Sequence, residues 1–131
     1  MKKDFRKVVS EISRNRYLNR GNVCYRSSEN GVVCRMECSE FSPEELKDKH
    51  VVYYMSIGDK HYFGYTNAFD RRMSEHLRKD DSLFRHYKNK KEFIVKPIMV
   101  CDNISDAKRY EREIISFAKY VLKDECLINI V

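Results

Sequence analysis

A chain of 131 residues with 42% hydrophobic and 35% charged side chains suits one compact, heavily charged domain, and excludes disorder. No apolar run approaches the ~20 residues that span a bilayer. The basic start Met1–Lys7 has no apolar stretch behind it, so a membrane or exported protein is excluded and a soluble, cytoplasmic one expected. Net charge is +6, from 26 Lys+Arg against 20 Asp+Glu, which favours polyanionic partners, nucleic acid first.

Residues 2 to 20 read as a helix with Phe5, Val8, Val9 and Ile12 in a short apolar stripe. Arg14, Arg16 and Arg20 make it basic, either as a solvated face or as an arm that contacts phosphates. Two strand-like runs then flank Asn30-Gly31, a good hairpin pair. The five cysteines, Cys24, Cys34, Cys38, Cys101 and Cys126, are odd in number and contain no Cys-x-x-Cys, so reduced, buried thiols are expected rather than zinc. In "SPEELKDK", Ser42 stands three residues before Glu45 with Pro43 between, the signature of a capped helix start.

"VVYYMSIGDKHYFGYT" (51–66) reads as a hairpin turning at Gly58-Asp59. A two-residue turn places Ile57 opposite Lys60, Met55 opposite Tyr62 and Tyr53 opposite Gly64. Side chains alternate along strands, so Tyr53 and Tyr62 share one face and Tyr54 takes the other. Gly64 should leave open space beside Tyr53. Taken alone, the pair reads as an aromatic cross-strand cluster before it reads as a pocket wall.

Asn67 is the expected cap of a helix carrying Phe69, Met73 and Leu77, and a second helical piece follows over 82–90. "FIVKPIMVC" is a strand interrupted by Pro97, which predicts an edge position or a bulge. The longest helix follows, with Ser105 as N-cap and Ala107, Ile114, Ile115 and Ala118 on its apolar face. The architecture expected is α/β of the α+β kind: a small, mainly antiparallel three-stranded sheet flanked by helices. Residues 51–131 form its core, and residues 1–50 an extension made of the basic helix and hairpin.

Arg72 and His76 are four apart and lie on one side of their helix, next to its apolar stripe. A cation there points into a pocket or snorkels out of it. Glu111 is centred among Ala107, Ile114, Ile115 and Ala118, on a face that should be buried. Acids are almost never buried there unless paired or bound to a metal. Glu113 is the alternative if the helix register differs.

From Val51 onward the chain resembles the GIY-YIG nucleases. Their first motif is degenerate here as "VVY" (51–53) and their second as "YFG" (62–64). Arg72 follows Gly64 by eight residues and His76 stands four beyond, as in the family. "DAKRYEREII" resembles the metal-binding helix and places Glu111 as ligand, while "LINI" resembles the terminal segment whose asparagine is here Asn129. Val51 replaces a glycine, and Phe63 an isoleucine, of the family's motifs. The resemblance implies an endonuclease hydrolysing phosphodiester bonds in DNA with Mg²⁺ or Mn²⁺ on Glu111. It implies Arg72 against transition-state charge, Tyr53 or Tyr62 on the attacking water, His76 as a relay or phosphate donor, and Asn129 as a supporting hydrogen-bond partner. DNA contacts are expected from Arg14, Arg16 and Arg20, from Arg71, Arg78 and Lys79, and from Lys88, Lys90 and Lys91. One such site cuts one strand, so double-strand cleavage would need a homodimer or two nicks. The alternative is a nucleic-acid-binding module of the same fold without turnover.

Overall fold

The computed structural model describes residues 24–27, 29–37, 41–122 and 126–129. Five strands, β1 (Cys24–Arg26), β2 (Val33–Met36), β3 (His50–Ile57), β4 (Lys60–Thr66) and β5 (Glu92–Cys101), form one sheet in the order β1-β2-β5-β3-β4. Among the described residues four helices accompany it: α1 (Pro43–Leu46), α2 (Phe69–His76), α3 (Phe84–Tyr87) and α4 (Ile104–Val121).

The sheet corrects the three-stranded antiparallel expectation. The hairpin β1–β2 does form around Asn30-Gly31, with Gly31 in the left-handed region at φ 74°. However, β2 pairs in parallel with β5, from Val33 opposite Glu92 to Met36 opposite Val95, which makes the sheet mixed and five-stranded. The reason lies in β5: with β3 on one side, its other edge exposes unpaired backbone groups, and β2 satisfies them. The expected N-terminal helix, with Arg14, Arg16 and Arg20, lies outside the described residues.

β5 is therefore central rather than an edge, and Pro97 is accommodated by a bulge. Val52 pairs with Met99 and Tyr53 with Pro97, a one-residue slip that lets the missing N–H fall out of the ladder. Two of the expected caps also differ. Asn103, not Ser105, caps α4, its side chain accepting from the Asp106 amide at 2.9 Å. Helix α2 starts at Ala68 without a side-chain cap, and Thr66 Oγ1 accepts from the Ala68 amide at 3.0 Å. The Ser42–Glu45 capping box of α1 is present.

Alternation divides the core into two layers. Val51, Tyr53, Met55 and Ile57 face Phe69, Met73, Leu77 and Tyr87 on one side of the sheet. Val52, Tyr54 and Phe63 face Ala107, Ile114 and Ala118 of α4 on the other. At the β4 edge the C-terminal tail closes the sheet: the Ile128 amide donates to His61 O at 2.7 Å and Leu127 is buried. No helix among the described residues is long and apolar enough to cross a membrane.

Candidate active site

The β3–β4 hairpin has the register its turn dictates, with Met55 opposite Tyr62 and Tyr53 opposite Gly64. Tyr53 and Tyr62 consequently share a face, their rings 6.2 Å apart. Tyr54 lies on the other face and bonds His61 Nδ1 at 2.5 Å. Gly64 does not leave an open gap. The Tyr53 phenol fills the space a side chain would take: a Cβ there would sit 2.6 Å from Tyr53 Cζ and Oη and 2.9 Å from Tyr62 Cε2. Tyr53 is thus fully buried, at 0% exposure, whereas Tyr62 is half-buried and is the outer phenol of the two.

Helix α2 supplies the cation and the imidazole. His76, only 1% exposed, bonds the Tyr53 hydroxyl through Nε2 at 2.6 Å and meets the Tyr62 ring edge-on at 5.6 Å. Its Nδ1 lies 3.1 Å from Asp81 Oδ2, which also accepts from the Leu83 amide at 3.0 Å. The Tyr87 hydroxyl donates to the His76 carbonyl at 2.8 Å and fixes the end of α2. Arg72 is half-buried beside both phenols and pairs with Glu75 at 3.2 Å.

Burial pushes both phenols above their ordinary ionisation range. For Tyr53 the neighbouring Tyr62 adds to this, and the positive charge of Arg72 opposes without overcoming it. For Tyr62 Arg72 opposes burial, and Glu111 adds a smaller upward push. Burial would also raise Asp81, but the bonds from His76 and the Leu83 amide, with Arg72 behind them, hold its carboxyl below the usual range. The phenols are therefore neutral at rest and the Asp81 carboxylate is ionised.

Glu111 is half-buried on α4, short of the full burial its helix face suggested, and Glu113 is half-buried too. It makes no hydrogen bond or ion pair with any described residue. Desolvation raises its carboxyl, with Lys108 and Arg112 opposing. Its charge adds an upward push on both Tyr62 and Tyr65 of β4. Asn129 brackets the strand at the residue between Tyr62 and Gly64: Oδ1 accepts from the Phe63 amide at 2.6 Å and Nδ2 donates to its carbonyl at 2.5 Å.

No group of three or more His, Cys, Asp or Glu side chains among the described residues could hold a metal by itself. Mg²⁺ rarely needs such a group, because one or two carboxylates with water and phosphate oxygens complete its octahedron. A partly desolvated carboxylate that bonds no described side chain fits that donor set, and Glu111 is such a group. Of the two cysteines closest in sequence, Cys34 is a buried core thiol and Cys38 lies outside the described residues.

Among the residues expected to grip DNA, Arg71, Arg78, Lys79, Lys88, Lys90 and Lys91 are all exposed, and Lys90 lies over the turn at Gly58. Arg14, Arg16 and Arg20 lie outside the described residues. Asp81 was not singled out by the sequence. It stands beyond the end of α2 in "RKDDS", where periodicity says nothing and a solvated charge is the default reading.

The family model for the GIY-YIG catalytic domain matches residues 49–119, more than half of the chain and the span that holds Tyr53, Tyr62, Arg72, His76 and Glu111. No curated protein and no solved structure matches the chain.

Proposed function

We propose that this chain, which belongs to the GIY-YIG nuclease family, is a divalent-metal-dependent endonuclease that hydrolyses phosphodiester bonds in DNA. One observation carries the reading. Tyr53, Tyr62, Arg72 and His76 meet on one face of the β3–β4 hairpin, and Glu111, which has no hydrogen bond or ion pair to any described residue, acts on Tyr62 of the same hairpin.

Each residue has a task that its surroundings suit. Arg72 is fixed by Glu75 and half-buried, so its charge is available to oxygens that become more negative as the phosphorus is attacked. Tyr62, the outer phenol, orients the attacking water. Tyr53 and His76 behind it form a buried path along which a proton is held or moved. A divalent cation on Glu111 would supply Lewis-acid polarisation of the phosphate. Asn129 keeps β4 in place and touches no reacting group. Arg71, Arg78, Lys79, Lys88, Lys90 and Lys91 offer exposed charge to the phosphates of the duplex, and the Arg14, Arg16 and Arg20 arm adds more. Each chain carries one such site and nicks one strand; cutting both calls for a homodimer or a second event.

A binding module without turnover is the second reading, favoured by two phenols pushed up rather than down. Supercoiled plasmid separates the two readings. The nuclease nicks it with Mg²⁺ or Mn²⁺ and stops with EDTA. Retardation of DNA without nicking at any concentration of either metal overturns the proposal.

A further inference from the structure

The Tyr53–His76 bond has a continuation on the other side of the ring. His76 is held from both nitrogens, by Tyr53 Oη at Nε2 (2.6 Å) and by Asp81 Oδ2 at Nδ1 (3.1 Å). All three groups are shielded, with Tyr53 at 0% and His76 at 1% exposure, and the Asp81 side chain at 10%. Bulk water is therefore kept from the Tyr53 contact, and the Asp81 contact is partly shielded.

The donor–acceptor inventory leaves one arrangement for the neutral ring. An ionised carboxylate only accepts, so Nδ1 must carry the hydrogen. Nε2 then presents a lone pair, and the Tyr53 hydroxyl must donate to it. Which imidazole nitrogen is protonated is set by the partner of the other nitrogen. Here that partner is Asp81, itself oriented by the Leu83 amide at 3.0 Å. Other charged or titratable groups near the ring among the described residues are Tyr62 on β4, Arg72 on α2 and Tyr87 on α3, whose hydroxyl donates to the His76 carbonyl; none of them bonds Nδ1.

We infer that Asp81 is a positioning residue that locks His76 in the Nδ1–H tautomer and thereby makes Nε2 the acceptor for the Tyr53 proton. The catalytic consequence rests on the nuclease reading; the tautomer does not. In the transfer the Tyr53 O–H bond breaks and its proton bonds to Nε2. The resulting imidazolium is met by the Asp81 carboxylate, and the phenolate is left facing Arg72 and Tyr62. The reverse transfer restores the neutral pair.

The test joins imidazole ¹⁵N NMR to plasmid nicking. The chain has four histidines, so a His76→Gln variant identifies the His76 signals. The parent protein should show His76 with a protonated Nδ1 and an unprotonated Nε2. In Asp81→Asn the amide can donate to Nδ1 as well as accept from it, so the ring should gain the Nε2–H tautomer. Nicking in Mg²⁺ should then slow on the order of 100-fold or more; in serine-protease triads the corresponding exchange costs about ten-thousand-fold through the wrong tautomer. A parent protein with Nε2–H would overturn the inference, as would an Asp81→Asn variant with unchanged tautomer and rate. If Asp81→Asn does not fold, the parent spectrum alone decides. A parent protein with the Nδ1–H tautomer that never nicks DNA supports the role of Asp81 in holding the ring and overturns only the nuclease reading.

Discussion

Gly64→Ala adds one methyl group at the most crowded point of the site. In an ordinary strand this exchange stabilises by about 0.5–1 kcal/mol, because glycine loses more backbone freedom on folding. Here the new Cβ would lie 2.6 Å from Tyr53 Cζ and Oη, against an ordinary carbon contact of about 3.5–4.0 Å, so the phenol must retreat by roughly 1 Å. Tyr53 is fully buried against Phe69 and His76, with ring centroids 5.8 Å away in both cases, and has little room to do so. Overpacking of this kind costs about 1–3 kcal/mol. Breaking the 2.6 Å bond to His76 strands a buried hydroxyl and a ring nitrogen, adding about 1–3 kcal/mol. Net destabilisation of about 2–4 kcal/mol is expected, a fall in Tm on the order of 10 °C. Thermal melts of Gly64→Ala, Tyr53→Phe and the double variant measure it. Because both changes act on one phenol, the double variant should lose less than the sum of the single ones. A Gly64→Ala protein that melts with the parent and nicks DNA at the parent rate would refute the reasoning.

Glu111→Gln should trade stability against activity in opposite senses. The fold raises the Glu111 carboxyl above its unfolded value, so its ionised form costs stability, more so as pH rises through the folded value. The glutamine variant should therefore melt higher than the parent at neutral pH without metal, a difference that closes in acid, while cleavage is lost. A variant that melts lower at neutral pH would contradict the desolvation argument. Asn129→Ala removes both side-chain bonds to Phe63 and should cost about 1–3 kcal/mol. Hydrogen exchange at the Phe63 amide should quicken by more than at Met55 on the inner strand β3, and equal protection at Phe63 would count against the clamp.

What the sequence disclosed follows from how local each signal is. The turn at Gly58-Asp59 determines the pairing of Tyr53 with Gly64, and strand parity then separates Tyr53 and Tyr62 from Tyr54. Helical spacing puts Arg72 and His76 together in the same way. The β2–β5 pair joins segments that share no local pattern, since Val33 and Glu92 meet only once β5 is already in the sheet. Asp81 escapes for a similar reason: it reaches His76 from a turn after the helix, where neither period applies. The space at Gly64 was legible, but its occupant was not, because register alone does not say that the Tyr53 ring folds across its own partner.

Single-turnover nicking of supercoiled plasmid by the parent and by Arg72→Ala, at saturating Mg²⁺, tests the central claim most directly. Among the described residues Arg72 is the cation set against both phenols, and it is half-buried, so its variant can fold while the reacting phosphate loses its charge partner. The account predicts a parent rate that EDTA abolishes, and an Arg72→Ala rate lower by on the order of 10²–10³ with plasmid binding largely kept. Equal rates for the two proteins would contradict it.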